Sequence, residues 1–283
     1  MSTSVFQTCE TAWCPGCGNF AILDCLKTAL TELGKSPHEV LMAAGIGQAA
    51  KTPQYISANA FCGLHGRSLP AAIAAKIANE GLTVVVDTGD GDSYGEGGNH
   101  FLHNIRRNVD ITHFVHDNQI YGLTKGQASP TTLEGQVTPV QPEGSANTAF
   151  NPALVAIAAG ATFVARAFSG RKEHLVSIMK QAISHKGYAL VDILQPCVSF
   201  NKVNTYAWYN QRIYELGEGY DPSNRLAALE KAMEFGDKIP LGVLYRQSGQ
   251  DFHAKNAILK DGTPLVDRPT DRNVILDLMK EFV

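Results

Sequence analysis

The 283-residue sequence contains no long hydrophobic run and no strong excess of either charge. Nowhere do roughly 18 apolar residues occur in a row, which argues against a hydrophobic transmembrane helix. The first residues lack a basic segment followed by an apolar run, so no secretion signal is expected. The formal net charge is only −3, and the lysines and arginines are scattered, which argues against a nucleic-acid-binding surface. We therefore expect a cytoplasmic protein that binds neither membranes nor nucleic acids.

Internal repeats and low-complexity segments are also absent, whereas 44% of the residues are hydrophobic and 18% are charged. A chain of this length and composition has enough apolar side chains for one large α/β core or two small ones, which argues against disorder. Six cysteines without a secretion signal do not indicate a disulfide framework. Because Cys14 and Cys17 lie close together, they indicate ligand or redox chemistry instead.

Short apolar runs alternate with helical patterns along the first 200 residues. Five runs are typical of strands that are buried on both faces, at residues 40–44, 82–86, 111–115, 161–165 and 188–194. Apolar residues recur at helical spacing in five segments, residues 18–33, 70–78, 100–107, 152–159 and 172–185. This alternating order predicts an α/β fold with a doubly wound, mostly parallel sheet.

The pattern loosens after about residue 201 into an aromatic tail that contains proline. Helices are expected in this tail at residues 222–235 and 271–281. We therefore divide the chain into a main domain, residues 1–205, and a C-terminal extension, residues 206–283. The extension is expected to pack on the core or on a partner subunit.

A glycine-rich turn follows the strand predicted at residues 82–86. It contains Gly89, Asp90, Gly91 and Asp92, and it opens the next helix. Ligands of such sheets bind at the carboxyl ends of strands, where glycine lets the backbone approach an anion and a helix start favours negative charge. Asp90 would repel a phosphate directly. We therefore interpret it as a ligand of a Mg²⁺ ion that bridges to diphosphate oxygens.

The next predicted strand leads to Asn118, which lies 28 positions after Asp90. This spacing equals one helix plus one strand, so both side chains are expected at adjacent strand ends. They supply two hard oxygen ligands, and the backbone carbonyl of Ile120 is a candidate for a third. A Gly-Asp-Gly segment alone is more often merely a turn, but its pairing with Asn118 favours diphosphate and Mg²⁺ binding.

This pairing resembles the motif of thiamine-diphosphate-binding proteins. More narrowly, residues 89–100 and 121–127 resemble the β subunit of 2-oxoacid:ferredoxin oxidoreductases, and the likeness extends from Trp13 to about Asn201. The resemblance implies the thiamine-diphosphate-binding fold and the CoA-dependent oxidative decarboxylation of a 2-oxoacid, with electrons passed to ferredoxin. It also implies a larger α subunit, possibly fused with a γ subunit, that completes the active site.

The resemblance further implies which residues surround the coenzyme. Besides the glycine-rich turn and the Mg²⁺ ligands, the expected contacts come from two loops and are Gly45, Ile46, Gly47, Gly122, Leu123 and Thr124. His65 and Arg67 are expected to face the reacting end of the coenzyme, and Lys51 is a similar candidate. For these three residues, a structural role or a surface position is the alternative.

Cys14 and Cys17 belong to a Cys-Pro-Gly-Cys segment. A thioredoxin-type pair would need a strand just before it, and a zinc ribbon would need a second such pair; the sequence has neither. In the resembled family, this segment and a distant cysteine, here Cys197, bind a [4Fe–4S] cluster. Four thiolates are usual for such a cluster.

The fourth cluster ligand departs from the family pattern. The remaining cysteine of the family follows Gly-Ile-Gly, where this sequence has Gln48. Either Cys62 completes the set from a nearby loop, or one iron has a non-cysteine ligand. A third reading is that no cluster is bound and the cysteines are structural. We favour Cys62, because the glycine after it permits an unusual loop path.

Lys125 bears on the choice of substrate. It follows the strand that leads to Asn118, so its side chain is expected near the reacting substrate. A second substrate carboxylate would need a cationic partner in a site that excludes water, and an ammonium group supplies one. Relatives that act on branched-chain 2-oxoacids tend to have a small residue there. We therefore expect 2-oxoglutarate as the substrate, with an exposed loop lysine as the alternative.

Two other functions account for parts of the sequence. A non-redox thiamine-diphosphate-dependent decarboxylase or synthase subunit would need Asp90 and Asn118 but no cluster. A nucleotide-binding regulatory module would use the same glycine-rich turn for a nucleotide phosphate. That module gives no role to Asn118 or to the Cys-Pro-Gly-Cys segment.

Overall fold

The computed structural model describes residues 5–282, which form a central eight-stranded sheet covered by helices. Numbered along the chain, the strands are β1 (Val40–Ala44), β2 (Asn59–Cys62), β3 (Thr83–Gly89), β4 (Thr112–Asp117), β5 (Phe163–Phe168), β6 (Ala189–Leu194), β7 (Ile213–Glu215) and β8 (Ile239–Arg246). Their order across the sheet is β2-β1-β3-β4-β6-β5-β8-β7. Neighbours from β2 to β5 are parallel, whereas β8 runs antiparallel to β5. The predicted doubly wound, mostly parallel sheet is confirmed.

Helices cover both faces of this sheet. They are α1 (Gly18–Glu32), α2 (Ser68–Ala78), α3 (Gly98–Arg107), α4 (Pro152–Ala159), α5 (Lys172–Ile183), α6 (Tyr206–Asn210), α7 (Arg225–Met233), α8 (Phe252–Lys255) and α9 (Arg272–Lys280). One apolar core lies under α1 and α5, and a second lies under α2, α3, α4 and α7. Within the described residues, no helix is both long enough and apolar enough to cross a membrane.

Strands β3 and β4 extend past the ends that the hydrophobic pattern indicates. Strands β4, β5 and β6 are buried along their whole length, as continuous apolar runs in a parallel sheet require. However, β3 continues to Gly89 and β4 continues to Asp117. Their last residues are small or polar because they lead into the site, and a hydrophobic pattern does not detect such residues.

Two parts of the sheet are not predicted from the sequence. All four residues of β2 are exposed, so this edge strand has no buried apolar face. In the tail, β8 pairs with β5, so residues after 206 continue the central sheet. Helix α9, also in the tail, has no buried residue. The division into residues 1–205 and 206–283 stays a prediction. Its outermost residues, 1–4 and 283, lie outside the described residues.

A buried ion pair joins the centre of the sheet to α7. Arg166 on β5 is paired in register with Asp192 on β6, and Nε of the arginine lies 4.0 Å from Oδ2 of the aspartate. The guanidinium also donates to the carbonyls of Ala232 and Glu234 at 3.2 and 3.3 Å, and Tyr94 donates to Asp192 at 3.0 Å. Both charged side chains are at most 2% exposed, so water does not solvate them. Each charge therefore depends on the opposite charge of the other for compensation.

We expect Asp192→Ala to lower the free energy of unfolding by about 3–5 kcal/mol, because it leaves the guanidinium of Arg166 buried without a carboxylate. Urea denaturation followed by circular dichroism measures this change. The matched control is Asp277→Ala, since Asp277 forms an exposed pair with Lys280 on α9. The control should change the stability by less than about 0.5 kcal/mol. A loss that is equally small in both variants would contradict this role of the buried pair.

Candidate functional site

The carboxyl ends of β1, β3, β4 and β6 lie at one edge of the sheet, and the loops that leave them carry the predicted site. These loops begin at Gly45, Asp90, Asn118 and Gln195. The chain passes from β1 to β2 on one side, whereas β3 lies on the other side of β1. Ligands of doubly wound sheets bind at such a switch point. The structure therefore brings the predicted coenzyme loops together at the expected edge.

Asp92 connects three loops, those after β1, β2 and β3, through one carboxylate oxygen. Its Oδ1 accepts hydrogen bonds from the backbone N–H groups of Ile46 at 2.9 Å and Gly66 at 2.7 Å, and it lies 2.7 Å from Nδ1 of His65. The Asp92 side chain is fully buried, and a Cβ on Gly45 would collide with it. Sequence reasoning places Asp92 and Gly45 at the coenzyme. The structure shows that both position the loops.

His65 and Arg67 lie on the loop after β2, beside the turn of π-helix at Gly91–Glu96. The Nε2 atom of His65 lies 3.5 Å from Oε2 of Glu96, and Tyr121 donates to the same oxygen at 3.0 Å. The side chain of His65 is 37% exposed, so Asp92 orients an accessible imidazole. Arg67 instead donates to the backbone carbonyl of Glu96 at 3.0 Å. Sequence reasoning misses Glu96.

Asp90 lies at the end of β3 and is only 2% exposed. Its Oδ2 accepts hydrogen bonds from the hydroxyls of Ser129 at 2.5 Å and Thr131 at 2.7 Å, and the Thr131 hydroxyl also lies 2.7 Å from Oδ1 of Asp117. A hydroxyl has a single proton, so Thr131 cannot donate to both carboxylates at once. Burial raises the pKa of Asp90 and of Asp117, and the nearby carboxylate of Asp192 raises the pKa of Asp117 further.

These buried carboxylates favour a bound cation. The guanidinium of Arg166 pairs with Asp192, whereas Asp90 and Asp117 have hydroxyl donors from the loop after β4. Strands β3 and β4 are neighbours in the sheet, so Asp90 and Asn118 follow adjacent strand ends. A carboxylate and an amide oxygen are hard ligands of the kind that Mg²⁺ prefers. The residues present therefore fit this ion.

The amide of Asn118 has a defined orientation. The next residue, Gln119, adopts a left-handed φ of 59°, and the N–H of Ile120 then donates to Oδ1 of Asn118 at 3.1 Å. The Nδ2 atom of Asn118 donates to Oε1 of Gln195 at 3.1 Å. An amide oxygen has two lone pairs, so Oδ1 retains one for a metal ion. The Ile120 carbonyl as a third ligand stays a prediction.

Three glycines leave open space between the loops. A Cβ on Gly47 would meet no atom within 4 Å, and a Cβ on Gly89 or Gly122 would reach a neighbouring side chain only at 4.0 or 3.9 Å. Gly91, in contrast, is packed against the ring of Tyr121, with which a Cβ would collide. The space beside the first three glycines suits a backbone cradle for an anionic group. Gly91 is explained by packing alone.

Within the loop after β4, residues 122–126 form a turn with three exposed side chains. The N–H of Lys125 donates to the carbonyl of Gly122 at 3.3 Å. Lys125 has a left-handed φ of 75°, which costs a non-glycine residue about 1–2 kcal/mol. Leu123, Thr124 and Lys125 are exposed, and Lys51 on the turn after β1 is half-buried. Among residues 5–282, neither lysine side chain forms an ion pair.

A cavity beside the loop after β4 contains the cysteines that the resemblance singles out. Cys14, Cys17 and Cys197 line it, together with Asn118 and Gln48. We call it the cysteine cavity. Burial raises the pKa of Cys17 to about 11, and the neighbouring thiols of Cys197 and Cys14 contribute to the rise. Burial therefore disfavours the free thiolate of Cys17.

Gln195 links the cysteine cavity to the proposed Mg²⁺ site. Its Oε1 accepts from Asn118, and its Nε2 donates to Sγ of Cys17 at 3.3 Å. The residue directly follows β6 and is 1% exposed. Gln195 stands two positions before Cys197, and sequence reasoning assigns it no role. Its place immediately after a buried strand was the available signal.

Cys62 does not share the cavity that the other three cysteines line. It is the last residue of the edge strand β2, where it is exposed and is paired in register with Ala44 of β1. The next residues turn away, with the N–H of Arg67 donating to the carbonyl of Leu64 at 2.9 Å. Cys62 does not line the cysteine cavity, whereas Gln48 does. Cys62 as the fourth cluster ligand therefore stays a prediction, to which this lining lends no support.

Comparison with protein families covers both parts of the chain. Residues 38–193 match the model described as the C-terminal TPP-binding domain of thiamine pyrophosphate enzymes. Residues 197–261 match the model described as the C-terminal part of the pyruvate ferredoxin oxidoreductase beta subunit. The first match contains Asp90 and Asn118, and it identifies this sheet as a thiamine-diphosphate-binding domain.

Individual relatives agree with these matches. Subunit beta of 2-oxoacid:ferredoxin oxidoreductase 1 from Aeropyrum pernix is 41% identical, over 91% of this chain and 84% of its own. The 2-oxoglutarate oxidoreductase subunit KorB from Mycobacterium tuberculosis is 44% identical, over 68% of this chain and 52% of its own. A solved structure of 2-oxoglutarate:ferredoxin oxidoreductase from Magnetococcus marinus, with 2-oxoglutarate, coenzyme A and succinyl-CoA bound, superposes with a TM-score of 0.91 at 35% identity, over 98% and 96% of the two chains. The chain therefore belongs to the family of 2-oxoacid:ferredoxin oxidoreductase β subunits.

Proposed function

We propose that this β subunit takes part in the CoA-dependent oxidative decarboxylation of 2-oxoglutarate and passes the electrons through a [4Fe–4S] cluster to ferredoxin. Asp90 and Asn118 hold the Mg²⁺ ion of thiamine diphosphate, and the cysteine cavity holds the cluster. The observation that carries the proposal is the amide of Gln195, which contacts Asn118 on one side and Cys17 on the other.

The coenzyme supplies the carbanion chemistry when it is bound, and this chain anchors and orients it. The open space beside Gly47, Gly89 and Gly122 supports the placement of the diphosphate there. Backbone N–H groups in such a concave turn favour an anion. Asp90 compensates part of the charge of the Mg²⁺ ion, and the hydroxyls that contact its Oδ2 keep the carboxylate in place.

The cysteine cavity supports an iron–sulfur cluster. Within the described part of the chain, no three His, Cys, Asp or Glu side chains are close enough together to hold a single metal ion. A [4Fe–4S] cluster is larger, and each of its irons takes its own thiolate. The single side chain of Gln195 between Asn118 and Cys17 gives electrons a short path out of the coenzyme site. A non-redox decarboxylase subunit gives this cavity no role.

The substrate proposal depends on Lys125. The similar solved structure contains 2-oxoglutarate and coenzyme A, and we propose the same substrates for this enzyme. 2-Oxoglutarate has a distal carboxylate that pyruvate lacks. Lys125 offers a cation without an ion-pair partner among residues 5–282, on a left-handed turn directly after the proposed Mg²⁺ ligand. Backbone strain of this kind persists where the surrounding structure imposes it and is common at ligand-binding residues.

His65 is the candidate for contact with the reacting end of the coenzyme. Asp92 lies at hydrogen-bond distance from Nδ1, and an external partner of Nε2 would share it with Glu96, whose Oε2 lies 3.5 Å away. Lys51, half-buried after β1, is a second candidate for that role. Arg67 binds the backbone of Glu96, so we assign it the role of positioning the loop that carries His65.

The partner of this chain is a larger α subunit. By resemblance, that subunit supplies the glutamate that activates the aminopyrimidine ring and most of the substrate pocket. We propose that the C-terminal extension, residues 206–283, contacts it. The exposed apolar side chains of α9 support this placement, namely Val274, Ile275, Leu276, Leu278 and Met279.

We expect Asp90→Ala to weaken Mg²⁺-dependent binding of thiamine diphosphate by at least about 100-fold, because it removes the anionic ligand of the metal ion. Isothermal titration of the assembled enzyme with thiamine diphosphate, once in the presence of Mg²⁺ and once in the presence of EDTA, measures the affinity for the coenzyme. Asp221→Ala is the matched control, since it removes an exposed carboxylate outside the site, and it should keep the wild-type affinity. Unchanged affinity in Asp90→Ala would falsify the Mg²⁺ assignment.

Loss of iron and sulfide is expected in each of the variants Cys14→Ser, Cys17→Ser and Cys197→Ser, because each removes one thiolate of the cluster. Chemical analysis and visible absorption of anaerobically purified enzyme measure the loss. Cys25→Ser is the matched control: this thiol lies on α1, where it contacts the carbonyl of Lys172 at 3.7 Å. If all four variants keep the wild-type iron content, the cluster proposal fails. The non-redox decarboxylase or synthase subunit is then the better explanation.

We expect Lys125→Ala to lower kcat/KM for 2-oxoglutarate about 100-fold and that for pyruvate less than about threefold, because only 2-oxoglutarate offers a carboxylate to pair with the ammonium. Steady-state assays of the assembled enzyme measure both values. Lys125→Gly separates charge from backbone: it removes the same ammonium but suits a φ of 75°. Equal losses on both substrates, or full activity in Lys125→Gly, would disprove the pairing.

A further inference from the structure

We propose that Gln48 is the fourth ligand of the cluster and binds one iron through Oε1. The cluster would then have three thiolate ligands and one neutral amide ligand. This inference rests on the proposed function, since it requires a cluster in the cysteine cavity. Three cysteines of the described residues line that cavity, and the inference concerns the ligand of the fourth iron.

The side chain of Gln48 has an unsatisfied atom at this cavity. Gln48 lines the cavity together with Cys14, Cys17 and Cys197. Its Oε1 is buried, and no residue in the described range 5–282 donates a hydrogen bond to it. A buried acceptor without a partner costs about 1–3 kcal/mol. An iron that lacks a fourth protein ligand offers the positive centre that this oxygen requires.

The backbone of Gln48 is anchored to the Cys-Pro-Gly-Cys segment. Trp13, which directly precedes Cys14, donates its indole N–H to the carbonyl of Gln48 at 2.8 Å. Trp13 is only 6% exposed, and its ring packs edge-on against two aromatic rings. The distance between ring centroids is 4.8 Å to Tyr55 and 5.5 Å to Phe20. This contact fixes the position of Gln48 relative to the first cluster cysteine, so only its side chain is free to reorient.

The other cysteines do not compete with Gln48 for this place. Cys62 ends an exposed edge strand, and Cys9 is exposed on the N-terminal segment. Cys25 is buried on α1 and contacts the carbonyl of Lys172. None of these three lines the cysteine cavity.

A neutral oxygen ligand changes the cluster in two measurable ways. Coordination by the amide releases no proton and adds no negative charge, whereas a fourth cysteine binds as a thiolate. Net charge is one of the factors that set the potential of a cluster, so an amide ligand gives a higher reduction potential than a fourth thiolate in the same cavity. The iron bound by the weaker ligand is also the first to leave on oxidation, which converts [4Fe–4S] into [3Fe–4S].

The test compares Gln48→Cys, Gln48→Ala and Cys62→Ser in the assembled enzyme, purified anaerobically. Gln48→Cys should lower the reduction potential and resist the loss of iron in air. Gln48→Ala should form the [3Fe–4S] EPR signal in a larger share of molecules than the wild type. Gln54→Ala and Gln54→Cys are matched controls, because Gln54 is exposed on the same turn, Ala49–Gln54. Iron content, EPR and redox titration do not depend on turnover.

Three results would overturn the inference. In the first, Cys62→Ser loses iron while the Gln48 variants behave like the wild type, which makes Cys62 the ligand. In the second, Gln48→Ala shifts the potential without increasing iron loss, which indicates a hydrogen bond to a sulfide. In the third, Gln48→Cys leaves the potential unchanged. All three leave the proposed function intact, whereas a wild-type enzyme without iron would contradict the proposed function itself.

Discussion

The geometry of the candidate site depends on the carboxylate of Asp92. One of its oxygens accepts hydrogen bonds from Ile46 and Gly66 and lies 2.7 Å from Nδ1 of His65, so the loops after β1, β2 and β3 meet at a single buried carboxylate. Hydrogen bonds to a charged group contribute about 1.5–3 kcal/mol each, and a desolvated carboxylate depends on all of them. The loops therefore cannot move independently, and the space beside their glycines has a defined shape.

Around this point the edge of the sheet accumulates negative charge that the apolar core must tolerate. Asp90, Asp117 and Asp192 are buried near one another, and Arg166 on the neighbouring strand β5 compensates Asp192. Burial raises the pKa of Asp192 to about 6, against the opposing effect of Arg166. Such an arrangement costs stability in the absence of a further cation. The same buried carboxylates support the proposed Mg²⁺ ion with its bound diphosphate.

The site also explains why the two halves of the proposed chemistry belong to one chain. Asn118 at the end of β4 and Cys17 at the start of α1 are far apart in the sequence, yet the amide of Gln195 contacts both. Because Gln195 directly follows β6, the neighbour of β4 in the sheet, the parallel register brings these groups together. The family relationship, inferred from motifs at this edge, is confirmed by the matches over nearly the whole chain.

Hydrophobic periodicity alone predicted the five central strands, the main helices and the parallel sheet, because these elements are buried on the faces that the pattern records. The spacing of Asp90 and Asn118 predicted adjacent strand ends for the same reason. The exposed edge strand β2 and the sheet strand β8 escaped prediction, since their places depend on pairing with distant strands. Likewise, no local pattern in the sequence indicates the contact of Gln195 with Cys17, because the two residues are separated by 178 positions. Only the packing of α1 and the loops against the carboxyl edge of the sheet decided which polar groups face the cysteines, because contacts between distant residues leave no local periodicity in the chain.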